Sequence, residues 1–144
     1  MWQKLKALIL DANILIRGVL GKKVHSLLIQ YSNQVAFYTP EVCFQDAEKY
    51  LPIILGKHPN IDVELAMDIL KQMSQIVYPI GQNLYSSFEV EAKRRIAMKD
   101  ENDWPIAATA LFLSCPIWTE DKDFFGIGIA TWQTHTVEIY LSST

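Results

Sequence analysis

Three stretches of this 144-residue chain end or begin on aspartate where one element of secondary structure should give way to the next. Asp11 closes the apolar run Lys6-Ala7-Leu8-Ile9-Leu10 and is followed by Ala12-Asn13. Asp100 and Asp103 stand before Trp104-Pro105 and a run of helix formers, and Asp121 and Asp123 follow Ile117-Trp118-Thr119. Ionised carboxylates crowded within a few ångströms repel one another, so Asp11, Asp103 and Asp121 could share a site only with a cation among them. Oxygen donors without histidine or cysteine favour magnesium or manganese over zinc. Such an ion keeps waters, binds phosphate oxygens and stabilises a leaving oxygen, which is the chemistry of phosphodiester hydrolysis. Each acid also has a plainer reading. Asp103 is well placed to cap the helix that Trp104-Pro105 opens, Asp121 could cap the turn 122–125, and Asp123 could simply be exposed.

The elements that must position these acids are legible from periodicity. Lys6 to Leu10 reads as a strand covered on both faces, hence central. A short helical turn from Asn13 to Gly18 and a helix from Lys22 to Tyr31 lead to a second strand, Gln34 to Tyr38. Thr39-Pro40 has the form of a helix start, a hydroxyl cap before a proline, and the helix runs to Leu55 with Gly56 as its stop. Its inward stripe is expected to be Val42, Ala47, Tyr50, Leu51 and Ile54. The next helix, beginning after Asn60, carries Ile61, Leu65, Ile69 and Met73, and a third strand runs from Ile76 to Ile80. Phe88, Ala92 and Ile96 mark a helix from Tyr85 to Met98, whose outer face, with Glu89, Lys93 and Arg94, reads as a solvated, ion-paired surface. A helix from Asp103, a turn at Ser114-Cys115-Pro116, the strand 117–119, a short strand near Ile129 to Trp132 and an amphipathic turn from Thr136 to Leu141 complete the chain. Strands alternating with helices predict an α/β fold of three layers, a mainly parallel sheet with helices on both faces. In such a sheet, acids at the carboxyl ends of strands converge on one cleft.

Composition narrows the function classes. The length suits a single domain with a sizeable core. The formal net charge of -3 gives no global basic field, so a polyanion would have to be held through a local patch or bound cations. Cys43 and Cys115 lack metal-ligand spacing and read as buried free thiols of a reducing compartment. The apolar run before Asp11 is too short for a signal peptide, and the run 106–118 is too short and too interrupted for a membrane span, so a cytoplasmic protein with no membrane association is expected. His25, His58 and His135 are isolated, the tryptophans fall in core elements, and there is no phosphate-binding glycine motif. Lys22, Lys23, Lys99 and Lys122 remain candidates for phosphate contact.

Leu8-Ile9-Leu10-Asp11-Ala12-Asn13, the stretch Asp103-Trp104-Pro105-Ile106-Ala107-Ala108-Thr109-Ala110-Leu111, and Ile117-Trp118-Thr119-Glu120-Asp121-Lys122-Asp123-Phe124 together resemble, in order, the three motifs of the PIN-domain family, which includes VapC toxins. The resemblance spans nearly the whole chain. It implies a Rossmann-like sheet and an acidic pocket that binds Mg2+ or Mn2+ and cuts single-stranded or structured RNA. It further implies Asp11, Asp103 and Asp121 as metal-site acids, and Asn13 and Thr119 as polar residues supporting them. An antitoxin protein and a homodimer formed through helical surfaces are the partners it suggests. One position departs from the pattern: where the family usually has a glutamate early in the helix after strand two, this chain has Asp46, with Glu48 two residues on. Two residues on a helix lie about 200° apart, so they cannot share a direction, and Asp46 is favoured because it borders the core-facing stripe. Asp100 could assist or substitute. The expected reading is therefore a metal-dependent endoribonuclease, with a noncatalytic RNA- or protein-binding module as its rival. A phosphoacceptor signalling domain fits less well. It would need an acidic pair after strand one and an aspartate after strand three, where Asp11-Ala12-Asn13 and Pro79-Ile80-Gly81 stand instead.

Overall fold

The computed structural model describes residues 6–58, 60–97 and 99–143. Residues 1–5 of the cationic amino-terminal flank and Met98, at the end of the helix expected from Tyr85, lie outside them. In chain order the elements are β1 (Lys6–Leu10), α1 (Ala12–Leu20), α2 (Lys22–Tyr31), β2 (Val35–Pro40), α3 (Glu41–Leu55), α4 (Val63–Met73), β3 (Val77–Ile80), α5 (Gln82–Tyr85), α6 (Glu89–Arg95), α7 (Trp104–Leu113), β4 (Ile117–Trp118), β5 (Thr131–Trp132) and α8 (Val137–Ser142). Single 3-10 turns at Ser86–Phe88, Glu101–Asp103 and Lys122–Phe124 join some of them.

The five strands form one sheet in the order β3-β2-β1-β4-β5, every neighbouring pair parallel. β1 is central because it can be: Leu8, Ile9 and Leu10 are fully buried, so both faces of the strand are covered. Each such side chain contributes roughly 1.5–3 kcal/mol on leaving water. The order places β2 on one side of β1 and β4 on the other. Right-handed crossovers in the two directions put their helices on opposite faces. α1 to α4 accordingly pack among themselves, while α7 lies against β1 and β2 with α5 and α6 packed on it. The strand order reverses between β1 and β4, and the cleft outside their carboxyl ends is the switch point of the sheet.

Several local expectations are corrected. The buried stripe of α3 is Cys43, Phe44, Ala47, Leu51 and Leu55, while Tyr50 is exposed. On α4 the buried residues are Ala66, Leu70 and Met73, one position on from the Leu65 and Ile69 expected. β2 continues through Pro40, and Thr39 is a buried strand residue whose hydroxyl donates to the carbonyl of Leu10 at 2.6 Å instead of capping α3. The helix expected from Tyr85 is split into α5, a 3-10 turn and α6. Its outer face is ion-paired as expected, Lys93 with Glu89 and both Arg94 and Arg95 with Glu91. Trp104 packs edge-on against Tyr85, Trp118 is fully buried and Trp132 stacks on Tyr140, so all three are packing residues. Among the described residues, no helix is long and apolar enough to cross a membrane.

Candidate metal centre

Asp11 sits at the junction of β1 and α1. Its Oδ1 accepts the Ile14 amide at 3.0 Å, capping α1, and its Oδ2 accepts the hydroxyl of Thr119, the residue that follows β4. The same Thr119 hydroxyl oxygen accepts the amide of Asp121 at 2.9 Å, and Asp121 Oδ1 in turn accepts the amide of Asp123 at 2.9 Å. A single hydroxyl thus joins the ends of the two neighbouring strands and orients the acid-bearing loop. Glu120 and Trp118 brace that loop from behind: the Glu120 carboxylate accepts the Thr134 amide at 2.6 Å, and the Trp118 indole donates to the Thr134 hydroxyl at 3.1 Å. Replacing Thr119 with valine keeps the shape and orphans both partners, and the expected cost is about 1–3 kcal/mol. Urea unfolding measures it, with Thr119→Ser expected to restore most of the loss and an unchanged midpoint in the valine variant counting against the joint.

Asp103 approaches from the opposite helical layer. Although it occupies the cap position of α7, its side chain makes no capping hydrogen bond. Its Oδ2 is instead a buried oxygen with no hydrogen-bond partner. Carboxylate oxygens of Asp103, Asp121 and Asp123 lie within 4.8 Å of one another. Asp11, Asn13, Asp46, Asn102, Asp103 and Asp121 line one cavity of about 120 Å³, with Val42, Cys43, Pro105, Ile106 and Phe124 among its apolar walls. Val42, Cys43 and Asp46 face it at helical spacing from the first turns of α3. Glu41, Phe44, Gln45 and Glu48 line a different depression on another side of the same helix. Asp100 is exposed, accepts the Asn102 amide at 2.9 Å and does not line the cavity. Asp123 joins the acids more closely than an exposed loop residue would, and Asn102 was not singled out from sequence at all. The signal for Asp123 was present in its two-residue spacing from Asp121, which a one-turn 3-10 loop folds back on itself.

The electrostatics follow from this crowding. Burial, only partly offset by the Thr119 hydroxyl and the Ile14 amide, lifts Asp11 to about 6. Burial first, then the charges of Asp121, Asp100, Asp123 and Asp11, lift Asp103 to about 7. A carboxylate whose folded-state pKa is raised favours folding below its unfolded value near 3.8 and loses that contribution as pH rises through the folded value. The metal-free protein is therefore expected to lose thermal stability between about pH 4 and pH 8, and Asp103→Asn should lessen that loss. Melting curves across this range in metal-free buffer check it; parallel wild-type and variant profiles would contradict it.

These residues suit a hard cation. An unpartnered buried carboxylate oxygen beside two further carboxylates is a costly arrangement without a positive charge, and the donors are all oxygen. Cys43, whose thiol is pushed up to about 12 mainly by burial, stays protonated and offers no thiolate. The His25, His58 and His135 rings are exposed and outside the cavity.

Comparison with known proteins bears on the whole arrangement. The family profile described as PIN domain matches residues 9–142. The chain belongs to the PIN-domain family. PIN domains are in general nucleases, and of the acids gathered at this switch point Asp11, Asp103, Asp121 and Asp123 lie in the three segments that carry the family resemblance, while Asp46 comes from α3. The PIN fold is also seen in structural comparison: a chain of VapBC2 from Rickettsia felis, in a crystal structure bound to a DNA fragment from the promoter, superposes with a TM-score of 0.62 at 14% identity. The match covers 88% of this PIN domain's chain and 98% of that one. No curated protein sequence matches significantly.

Proposed function

We propose that this PIN domain is a metal-dependent endoribonuclease that hydrolyses phosphodiester bonds of single-stranded RNA, with Asp11, Asp46, Asp103 and Asp121 as its metal-site acids. The observation that carries the reading is the buried, unpartnered oxygen of Asp103 set against Asp121 and Asp123 at the switch point of the sheet. Asp103, Asp121 and Asp123 would hold one Mg2+ or Mn2+, with Asp11 and Asp46 on the other side of the same cavity completing the donor set. When bound, the ion supplies charge for the scissile phosphate and a water of lowered pKa. The chain's own residues do the positioning. Thr119 fixes the direction of Asp11 and the loop of Asp121; Asn13 and Asn102 offer neutral hydrogen bonds at the rim, and Phe124 and Ile106 limit the water around the acids. Asp46 reaches the cavity with one methylene less than glutamate would, and Glu48, on another face of α3, is not its substitute.

The test is cleavage of a mixed RNA substrate by the purified protein with manganese and with chelator. Metal-dependent cleavage that disappears in chelator supports the reading. RNA that is bound but never cut at any metal concentration would favour the noncatalytic module. The likeness to a chain of VapBC2 and the family membership favour a toxin of a toxin-antitoxin pair over a housekeeping nuclease. A gene for a small DNA-binding protein immediately upstream would support that assignment, and growth arrest on expression of the active protein, relieved by co-expression of that neighbour, would test it.

A further inference from the structure

A second cavity, of about 600 Å³, lies between α3 and α4 at the outer edge of the sheet, where Pro79 of the terminal strand β3 reaches it. Its floor is apolar. Phe44 and Leu70 are nearly buried and Met67 packs partly against the core. Its rim is acidic, with exposed carboxylates of Glu41, Glu48 and Asp68 against the one ammonium of Lys71. None of these three carboxylates has an ion-pair partner among the described residues, whereas the acids of α6 are all neutralised by lysine or arginine on their own helix.

We propose that this groove is a docking site for a basic, amphipathic segment of another protein, one that sets apolar side chains on Phe44, Met67 and Leu70 and lysine or arginine against Glu41, Glu48 and Asp68. The volume suits several side chains and exceeds what a single ion needs. RNA is excluded as occupant by the sign of the rim, which repels phosphate. A second copy joined by a two-fold axis would set the same acids against themselves. A cationic segment with an apolar face satisfies rim and floor together, the pattern of a helix laid into a groove. The site is separate from the acid cavity although both use α3: Val42, Cys43 and Asp46 face one, Glu41, Phe44, Gln45 and Glu48 the other. Glu48 thereby has a use that the cavity does not give it.

The experiment uses the full chain and three fluorescein-labelled synthetic peptides: a leucine/lysine helix with one apolar face, the same pattern with glutamate for lysine, and a scrambled leucine/lysine sequence of equal composition. Fluorescence anisotropy is expected to show binding of the patterned leucine/lysine peptide alone, weakening with salt. The exposed-site double variant Glu48→Lys with Asp68→Lys is expected to weaken it at least about tenfold, the effect of losing close charge pairs at an interface. Met67→Asp, which puts charge on the floor, is expected to do the same, and circular dichroism verifies that each variant is folded. Asp103→Asn is expected to leave the affinity unchanged. No preference between patterned and scrambled peptide, retention of binding in the double variant, or loss of binding in Asp103→Asn would each overturn the assignment. So would light scattering that finds a wild-type dimer which the double variant dissociates, since the occupant would then be a second copy.

Discussion

Asp103→Asn is expected to lose RNA cleavage by about 100-fold or more, the scale reached when even residues supporting a metal ligand are removed. Asparagine keeps the volume and caps a helix about as well as aspartate. Capping is in any case not what this side chain does, since it makes no hydrogen bond to the first turn of α7. What the change removes is one negative charge from a group that burial and four neighbouring aspartates already hold up at about 7. The asparagine amide can also donate to the carboxylates of Asp121 or Asp123 at every pH, which aspartate cannot once it is ionised. The metal-free variant is therefore expected to melt at the wild-type temperature or above it, with the gap widening as pH rises from about 4 to about 7 and levelling off above that. Added manganese is expected to raise its melting temperature less than it raises the wild type's, because an ion stabilises only in proportion to its affinity for the folded state. Equal or higher metal-free stability together with a smaller gain from the metal is a signature that neither a cap nor a packing residue produces. A variant that cleaves RNA at the wild-type rate and gains the full manganese shift would remove Asp103 from the site.

Trp118→Ala is expected to have the opposite character, a large loss of stability that no metal repairs. Trp118 is fully buried in β4, its ring 6.5 Å from that of Phe37 in β2, and its indole nitrogen holds Thr134 beyond β5. Truncation leaves a cavity at the centre of the sheet and orphans the Thr134 hydroxyl. Such changes cost about 3–5 kcal/mol against a total stability on the order of 5–15 kcal/mol. A fall in melting temperature of about 10 °C or more follows for a chain of this size. Trp118→Phe, which gives up the indole hydrogen bond and part of the volume, should fall between. Thermal and urea unfolding with and without manganese check both variants, and a loss of only a degree or two in the alanine variant would show that the sheet centre repacks.

The acids were legible because they follow runs whose periodicity is unambiguous. Leu8-Ile9-Leu10 and Ile117-Trp118 admit a buried strand and little else, so the positions of Asp11 and Asp121 follow from them, and the two strands are parallel neighbours. The stripes of α3 and α4 were harder because each helix carries two interleaved apolar sets. Leu65 and Ile69 have the same spacing as Ala66 and Leu70, and only the packing of α4 on α1 and α3 buries the second set. Thr39 misled for another reason. A hydroxyl before a proline is chemically a good cap, yet the same hydroxyl is short enough to bind the neighbouring strand, and pairing of β2 with β3 carries the strand through Pro40. The unpartnered oxygen of Asp103 had no sequence signal, since a cap and a ligand can occupy the same position.

The joint between Asp11 and Thr119 spans 108 residues of chain and lies between two strands that cannot pair until everything separating them has been made. During synthesis, which proceeds at roughly 5–20 residues per second, β1, β2 and β3 can meet early, whereas β4 and its acids emerge only after all of these and the helices between them. Closing that long contact is the entropically late step of folding. A ribosome-bound fragment that stops short of Asp103 holds Asp11 and Asp46 without Asp103, Asp121 or Asp123, so under the proposed ribonuclease reading the nascent chain would carry no assembled acid site until the segment after β4 has been made.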